Sequence, residues 1–245
     1  MKRNLKKVIM VAAALVLIVV FSGCSKNEER GIDYGQEPPG VIPEVFAYGI
    51  ISTDEDMEYA CTFSPDGSEI YYSVREGKTG MPKVYMSTFL DGAWQEPCEI
   101  EYDEEGILFE PHYANDGMTM YFTGRVNDSV SGEYKTGIWK RTYQNGLWTG
   151  LNYVNTGMYV STTDDCTIYM TDIETNLGIV KVIENNGDFS EFIALEGGVN
   201  EPVPGIHPCI APDESFIIYD CSRDDGYGGE GDLYVSLNNG DETWR

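Results

Sequence analysis

His112 and His207 are the only imidazoles in this 245-residue chain, so any general-base chemistry run by histidine depends on them. A nucleophile triad would need one of them beside an activated serine or cysteine, and no Gly-x-Ser-x-Gly elbow accompanies either. Both stand shortly before an aspartate, Asp116 and Asp213, at the start of a segment that reads as a strand. Glu110-Pro111 and His207-Pro208 occupy equivalent places, with Ala60-Cys61 as a third. A polar residue recurring at one strand entrance predicts a shared binding surface. Glu110, His112 and His207 are its candidate residues, and no catalytic residue is assigned.

Other constellations carry less. Arg75, Arg125 and Arg223 recur after successive aspartates. Three arginines on one carboxylate would suit a sialidase-like site, but a common repeat position predicts a structural salt bridge within each unit instead. The Asp- and Gly-rich stretch from Asp224 to Asp232 matches no calcium-loop spacing and reads as a loop between strands. No phosphate loop or nucleotide fingerprint is present, so no cofactor and no metal are expected. Five cysteines besides Cys24 are spaced without any zinc pattern. Falling on expected strands, they read as small buried residues and not as a disulfide framework.

The N-terminus carries a different kind of chemistry. Lys2, Arg3, Lys6 and Lys7 precede an uncharged run from Val8 to Phe21, too short for a comfortable membrane span of about 20 residues but suited to a signal peptide. Phe21-Ser22-Gly23-Cys24 resembles the lipobox of bacterial lipoproteins, which implies cleavage after residue 23 and lipid on Cys24. Each buried methylene adds about 0.8 kcal/mol of membrane affinity, so two or three acyl chains would anchor firmly. Residues 24–42, polar and rich in Gly and Pro, read as the lipidated cysteine and its tether. Loss of the four leader bases leaves 12 Lys and Arg against 41 Asp and Glu. That balance repels phosphate backbones and excludes nucleic acid, while leaving cationic, neutral or metal-bridged partners.

The elements that would position these residues are repeats. Thr62–Tyr72, Tyr113–Phe122, Ser161–Met170 and Cys209–Tyr219 align as strand, turn and β-branched or aromatic strand, anchored on Asp66, Asp116, Asp164 and Asp213, with Gly67 and Gly117 completing the first two turns. Aspartate bonds the turn backbone and glycine supplies positive φ. A second hairpin follows in each unit, with Val84–Ser87, Ile138–Arg141, Ile179–Val182 and Leu233–Ser236 as third strands. Two hairpins per unit and no helical periodicity after the leader predict an all-β fold, a β-propeller of about four visible four-stranded blades. Ser64-Pro65-Asp66-Gly67 followed by Ile70-Tyr71-Tyr72 resembles the WD40-like (PD40) repeat of TolB-type propeller lipoproteins. The resemblance covers nearly the whole mature chain and implies the fold; propellers host too many roles for it to imply one function.

The expected organisation is a signal peptide over 1–23, lipid and tether over 24–42, and blades over about 43–102, 103–154, 155–202 and 203–245. Two readings of the last blade stay open. It is C-terminally truncated, leaving an open array, or Val45-Phe46-Ala47 supplies its outer strand and closes the ring. In a propeller the first strands line a central channel, which puts Glu110, His112 and His207 at its mouth. The function expected is a lipid-anchored binding or scaffolding module outside the cytoplasm, on the cell membrane or outer membrane, with an envelope protein or glycan as partner. The alternative is a carbohydrate-active enzyme, glycosidase or sialidase-like, working at the channel mouth with paired acids.

Overall fold

A computed structural model describes residues 34–175, 178–185, 188–224, 226, 231–241 and 243–245. The leader, Cys24 and the first part of the tether lie outside the described residues. Blade 1 is an antiparallel sheet of Met57–Phe63, Glu69–Arg75, Pro82–Leu90 and Cys98–Glu99 in spatial order. Blade 2 repeats it with Gly106–Tyr113, Thr119–Asn127, Tyr134–Gln144 and Asn152–Asn155. Blade 3 does so with Met158–Thr162, Ile168–Thr171, Ile179–Val182 and Ile193–Ala194. Among the described residues blade 4 has three strands, Ile206–Ile210, Phe216–Cys221 and Asp232–Leu237. The chain then turns, and Leu237 and Arg245 exchange both backbone hydrogen bonds.

Alternation along each second strand explains why the blades stack. In blade 1, Tyr71 faces blade 2 and packs with Met120, Phe122 and Trp139, while Ile70 and Tyr72 face the other way. Tyr121 of blade 2 likewise enters the core shared with blade 3, and Tyr169 of blade 3 the core shared with blade 4. Period-2 alternation thus feeds two different interfaces from one strand. Of the two readings of the last blade, closure through Val45-Phe46-Ala47 is not what forms. Phe46 packs on Phe63 and Trp94 of blade 1 at centroid distances of 6.0 and 5.9 Å, on the face turned away from blade 2.

The first turns follow the predicted chemistry with one correction. Asp66 accepts from the Ser68 N–H, Asp116 from those of Met118 and Thr119, and Asp213 from that of Ser215. In blade 3 the turn carboxylate is Asp165, bonded to the Thr167 N–H and the Thr163 hydroxyl. Asp164, the expected anchor, instead accepts from Asn115 Nδ2 of blade 2 and donates its own N–H to Pro212 of blade 4. The turn there is one residue shorter, which shifts the frame. Gly67 and Gly117 take positive φ as expected, and Cys166 and Glu214 adopt the same conformation at φ 67° and 58° without being glycine.

Candidate functional site

Each first strand is broken at one place by a β-bulge, and the bulge sets the geometry of the centre. Register shifts fall after Tyr59, Phe109, Met158 and Ile206. The residue that follows each, Ala60, Glu110, Tyr159 and His207, has φ between 50° and 54°. Left-handed φ at a non-glycine residue costs about 1–3 kcal/mol and persists only where surrounding contacts hold it. Here the contact is a clasp between blades. Ser73 Oγ accepts from the Glu110 N–H at 2.7 Å, and Thr123 and Thr171 Oγ1 accept from the Tyr159 and His207 N–H groups at 2.9 Å. A second contact reinforces it: Thr62 Oγ1 accepts from the Tyr113 N–H, Ser161 Oγ from the Ile210 N–H, and His112 Nε2 meets Thr162 Oγ1 at 2.9 Å.

These bulges bring the four first strands around one cavity of about 230 Å³. Glu110 and His112 line it together, beside Cys61, Tyr159 and Cys209. His207 is not in the wall. Its ring packs on Tyr159 at 5.0 Å, and its Nδ1 lies 2.8 Å from Asp220 Oδ1. The three candidates are therefore neighbours through Tyr159, which the repeat alignment could have flagged because it holds the place of Glu110 and His207.

Glu110 is the unusual group. Its residue is 8% exposed, and Oε2 has no hydrogen-bond partner among the described residues. Burial pushes its carboxyl above the ordinary range, opposed by the Thr123 hydroxyl, the nearby His207, the Tyr159 amide and Arg75. Burial acts on His112 in the opposite direction, holding its pKa at about 4 and the ring neutral at pH 7. The cavity wall thus presents a buried carboxyl acceptor and a fixed neutral imidazole, a set suited to recognising a hydrogen-bond donor or a cation. Among the described residues no group of three or more His, Cys, Asp or Glu is placed to hold a metal ion.

Two expectations fail on contact with the side chains. The recurring arginines make no blade-internal salt bridge among the described residues. Arg75 lies over Tyr59, Arg125 over Tyr134 at 4.6 Å, and Arg223 over Tyr234 at 4.6 Å while donating to Gly198 and Tyr219. Cation–π contact gives each guanidinium an aromatic partner in place of a carboxylate. The five described cysteines are free, and Cys61, Cys98, Cys166 and Cys209 are exposed, with Cys221 alone of them buried. Four of the five sit on faces or turns that the next blade does not cover.

No family model and no curated protein matches the chain. Solved structures similar to it include TolB from Acinetobacter baumannii, at 16% identity and a TM-score of 0.47, over 74% of this chain and 41% of that one. A puromycin-hydrolysing peptidase from Mycobacterium tuberculosis aligns at 12% and 0.44, over 77% and 28%. The PQQ-bound aldose sugar dehydrogenase of Streptomyces coelicolor aligns at 10% and 0.36, over 76% and 82%. The chain spans about two fifths of the TolB chain and under a third of the peptidase. The β-propeller assignment stands on the sheet topology given above. Among the described residues no helix is long and apolar enough to cross a membrane.

Proposed function

We propose that this chain is an exported lipoprotein, anchored through Cys24, whose propeller binds an envelope protein or glycan at its central cavity. The observation that carries the binding role is the Glu110 carboxyl, buried in the cavity wall with Oε2 unpartnered among the described residues. An unpaired buried acceptor costs about 1–3 kcal/mol, which a ligand donating to it would recover. The anchor rests on the basic leader, the short apolar run and the small residues before Cys24. Glycoside cleavage would need a second acid opposite the first. Glu110 supplies the one carboxyl among the described residues of the wall, and this favours binding over turnover.

The test is equilibrium binding of the full chain in detergent to panels of envelope glycans and envelope proteins. A ligand held at least tenfold more weakly by Glu110→Gln is the expected result. A ligand indifferent to that change, turnover of a glycan abolished by it, or no ligand in either panel would defeat the reading. The anchor is tested separately by Cys24→Ser, which should move the protein from the membrane fraction to the soluble one.

A further inference from the structure

Blades 1 and 2 carry the same aromatic platform, and blade 1 shows what sits on it. Phe89 pairs across its hairpin with Trp94 as Tyr143 does with Trp148. The rings stand 5.1 Å apart in blade 1 and 5.3 Å in blade 2. Phe63 completes the first platform 6.1 Å from Trp94, and Tyr113 the second 5.9 Å from Trp148. On the blade 1 platform Tyr34, from the segment before the first strand, stacks on Trp94 at 6.2 Å and 16° and lies 4.9 Å from Phe63. Over the blade 2 platform a cleft of about 430 Å³ opens, walled on its other side by Asp66, Glu69 and Tyr71 of blade 1.

The cleft is open for a residue-level reason. Tyr71 and Tyr169 hold the same register against their first strands. In blade 4, Glu214 accepts a hydrogen bond from the Tyr169 hydroxyl at 2.6 Å across the interface between blades 3 and 4. Gly117 holds that turn position beside Tyr71, and a Cβ there would find only Pro65 Cγ, at 3.8 Å. Polarity distinguishes the platform from its blade 1 counterpart, because Tyr113 and Tyr143 replace phenylalanines. Among the described residues the wall has two carboxylates and no base. Asp66 is held ionised, at about 2, by hydrogen bonds from Ser64 and Ser68. The aromatic set already attracts one cation, since the buried Arg141 lies over Trp148 at 4.7 Å.

We propose that this cleft binds an aromatic side chain presented by a polypeptide segment with basic residues beside it. The ring takes on Tyr113, Tyr143 and Trp148 the place Tyr34 takes in blade 1, and the bases face Asp66 and Glu69. The site is independent of the central cavity.

Fluorescence anisotropy of a labelled, capped peptide with a central Lys-Tyr-Lys, titrated with the full chain in detergent, tests this. Saturable binding is expected, at least tenfold weaker for Lys-Ala-Lys and for Glu-Tyr-Glu. The same loss is expected in Tyr143→Ala and in Gly117→Glu, the second of which copies Glu214 of blade 4. The peptide replacements decide the matter even where a variant fails to fold. Equal binding of Lys-Tyr-Lys and Lys-Ala-Lys, no saturation up to millimolar peptide, or unchanged affinity in both folded variants would overturn the proposal. Displacement of the peptide by a neutral oligosaccharide more readily than by unlabelled peptide would overturn it too.

Discussion

The two outermost faces of the blade stack are built from one repeat and end in opposite states. On blade 1 the face away from blade 2 carries Ile70, Tyr72, Val74 and Trp94, all buried, with Tyr34, Phe46 and Ile51 packed against them. On blade 4 the face away from blade 3 shows Phe216, Ile218, Leu233, Val235 and Leu237 to solvent, Leu233 at 79% exposure and Val235 at 63%. Even the clasp position is present there. Ile218 pairs with Cys209 as Tyr71 pairs with Thr62, which makes Asp220 the counterpart of Ser73, and Asp220 turns to His207 instead of a neighbouring blade. The contrast teaches that the repeat specifies an apolar face and an acceptor, while the cover is supplied from outside the repeat. Apolar rows of this kind mark interaction surfaces.

The sharpest way to break the comparison is to strip the covered face. Deleting residues 25–50 removes the aromatic cap from blade 1 and should cost about 3–5 kcal/mol in denaturant unfolding, with new self-association, because large apolar rings lose their cover. Unchanged unfolding would mean the capped and uncapped faces are energetically alike. Next, Thr123→Val removes the acceptor for the Tyr159 N–H and should cost about 1–3 kcal/mol, the penalty for orphaning a buried donor. Asp220→Ala, at the equivalent place on the open face, should cost under about 0.5 kcal/mol. Equal losses would show that the clasp does not depend on a neighbouring blade.

A third probe sets the shared centre against both faces. Glu110 has its carboxyl pKa raised by burial, so the native state holds the proton more tightly than the unfolded chain. The stability this contributes is complete below the unfolded carboxylate range and is lost as pH rises through the folded value. Glu110→Gln escapes that loss and should be the more stable protein at pH 7 by about 1 kcal/mol, the advantage vanishing toward pH 4. Parallel stability curves for the two proteins would remove Glu110 as the buried unpaired acid. The smallest effect belongs to the open face: Leu233→Lys with Val235→Lys should leave the melting temperature within about 2 °C and reduce self-association in sedimentation velocity.

Much of this was legible in one dimension because a repeat is a local pattern. Turn chemistry around Asp66, Asp116 and Asp213, the alternation of Ile70, Tyr71 and Tyr72, and the four blades all follow from residues a few positions apart. The slip from Asp165 to Asp164 shows the limit: one residue missing from a turn shifts the frame, and only the strand register reveals it. Glu110 and His207 were legible as one recurring polar position and His112 as one of two histidines, whereas the meeting of Glu110 and His112 with Tyr159 and Cys209 was not, since those residues come from different blades. The sequence by itself determined the strand pattern, the acidic surface and the spacing of the central residues, because propensity, turn geometry and charge are short-range properties. Only the tertiary structure decided which face Phe46 covers, that the arginines lie over aromatic rings, and that one Glu110 oxygen goes unpartnered among the described residues. Those depend on distances between residues far apart in the chain, and packing alone fixes such distances.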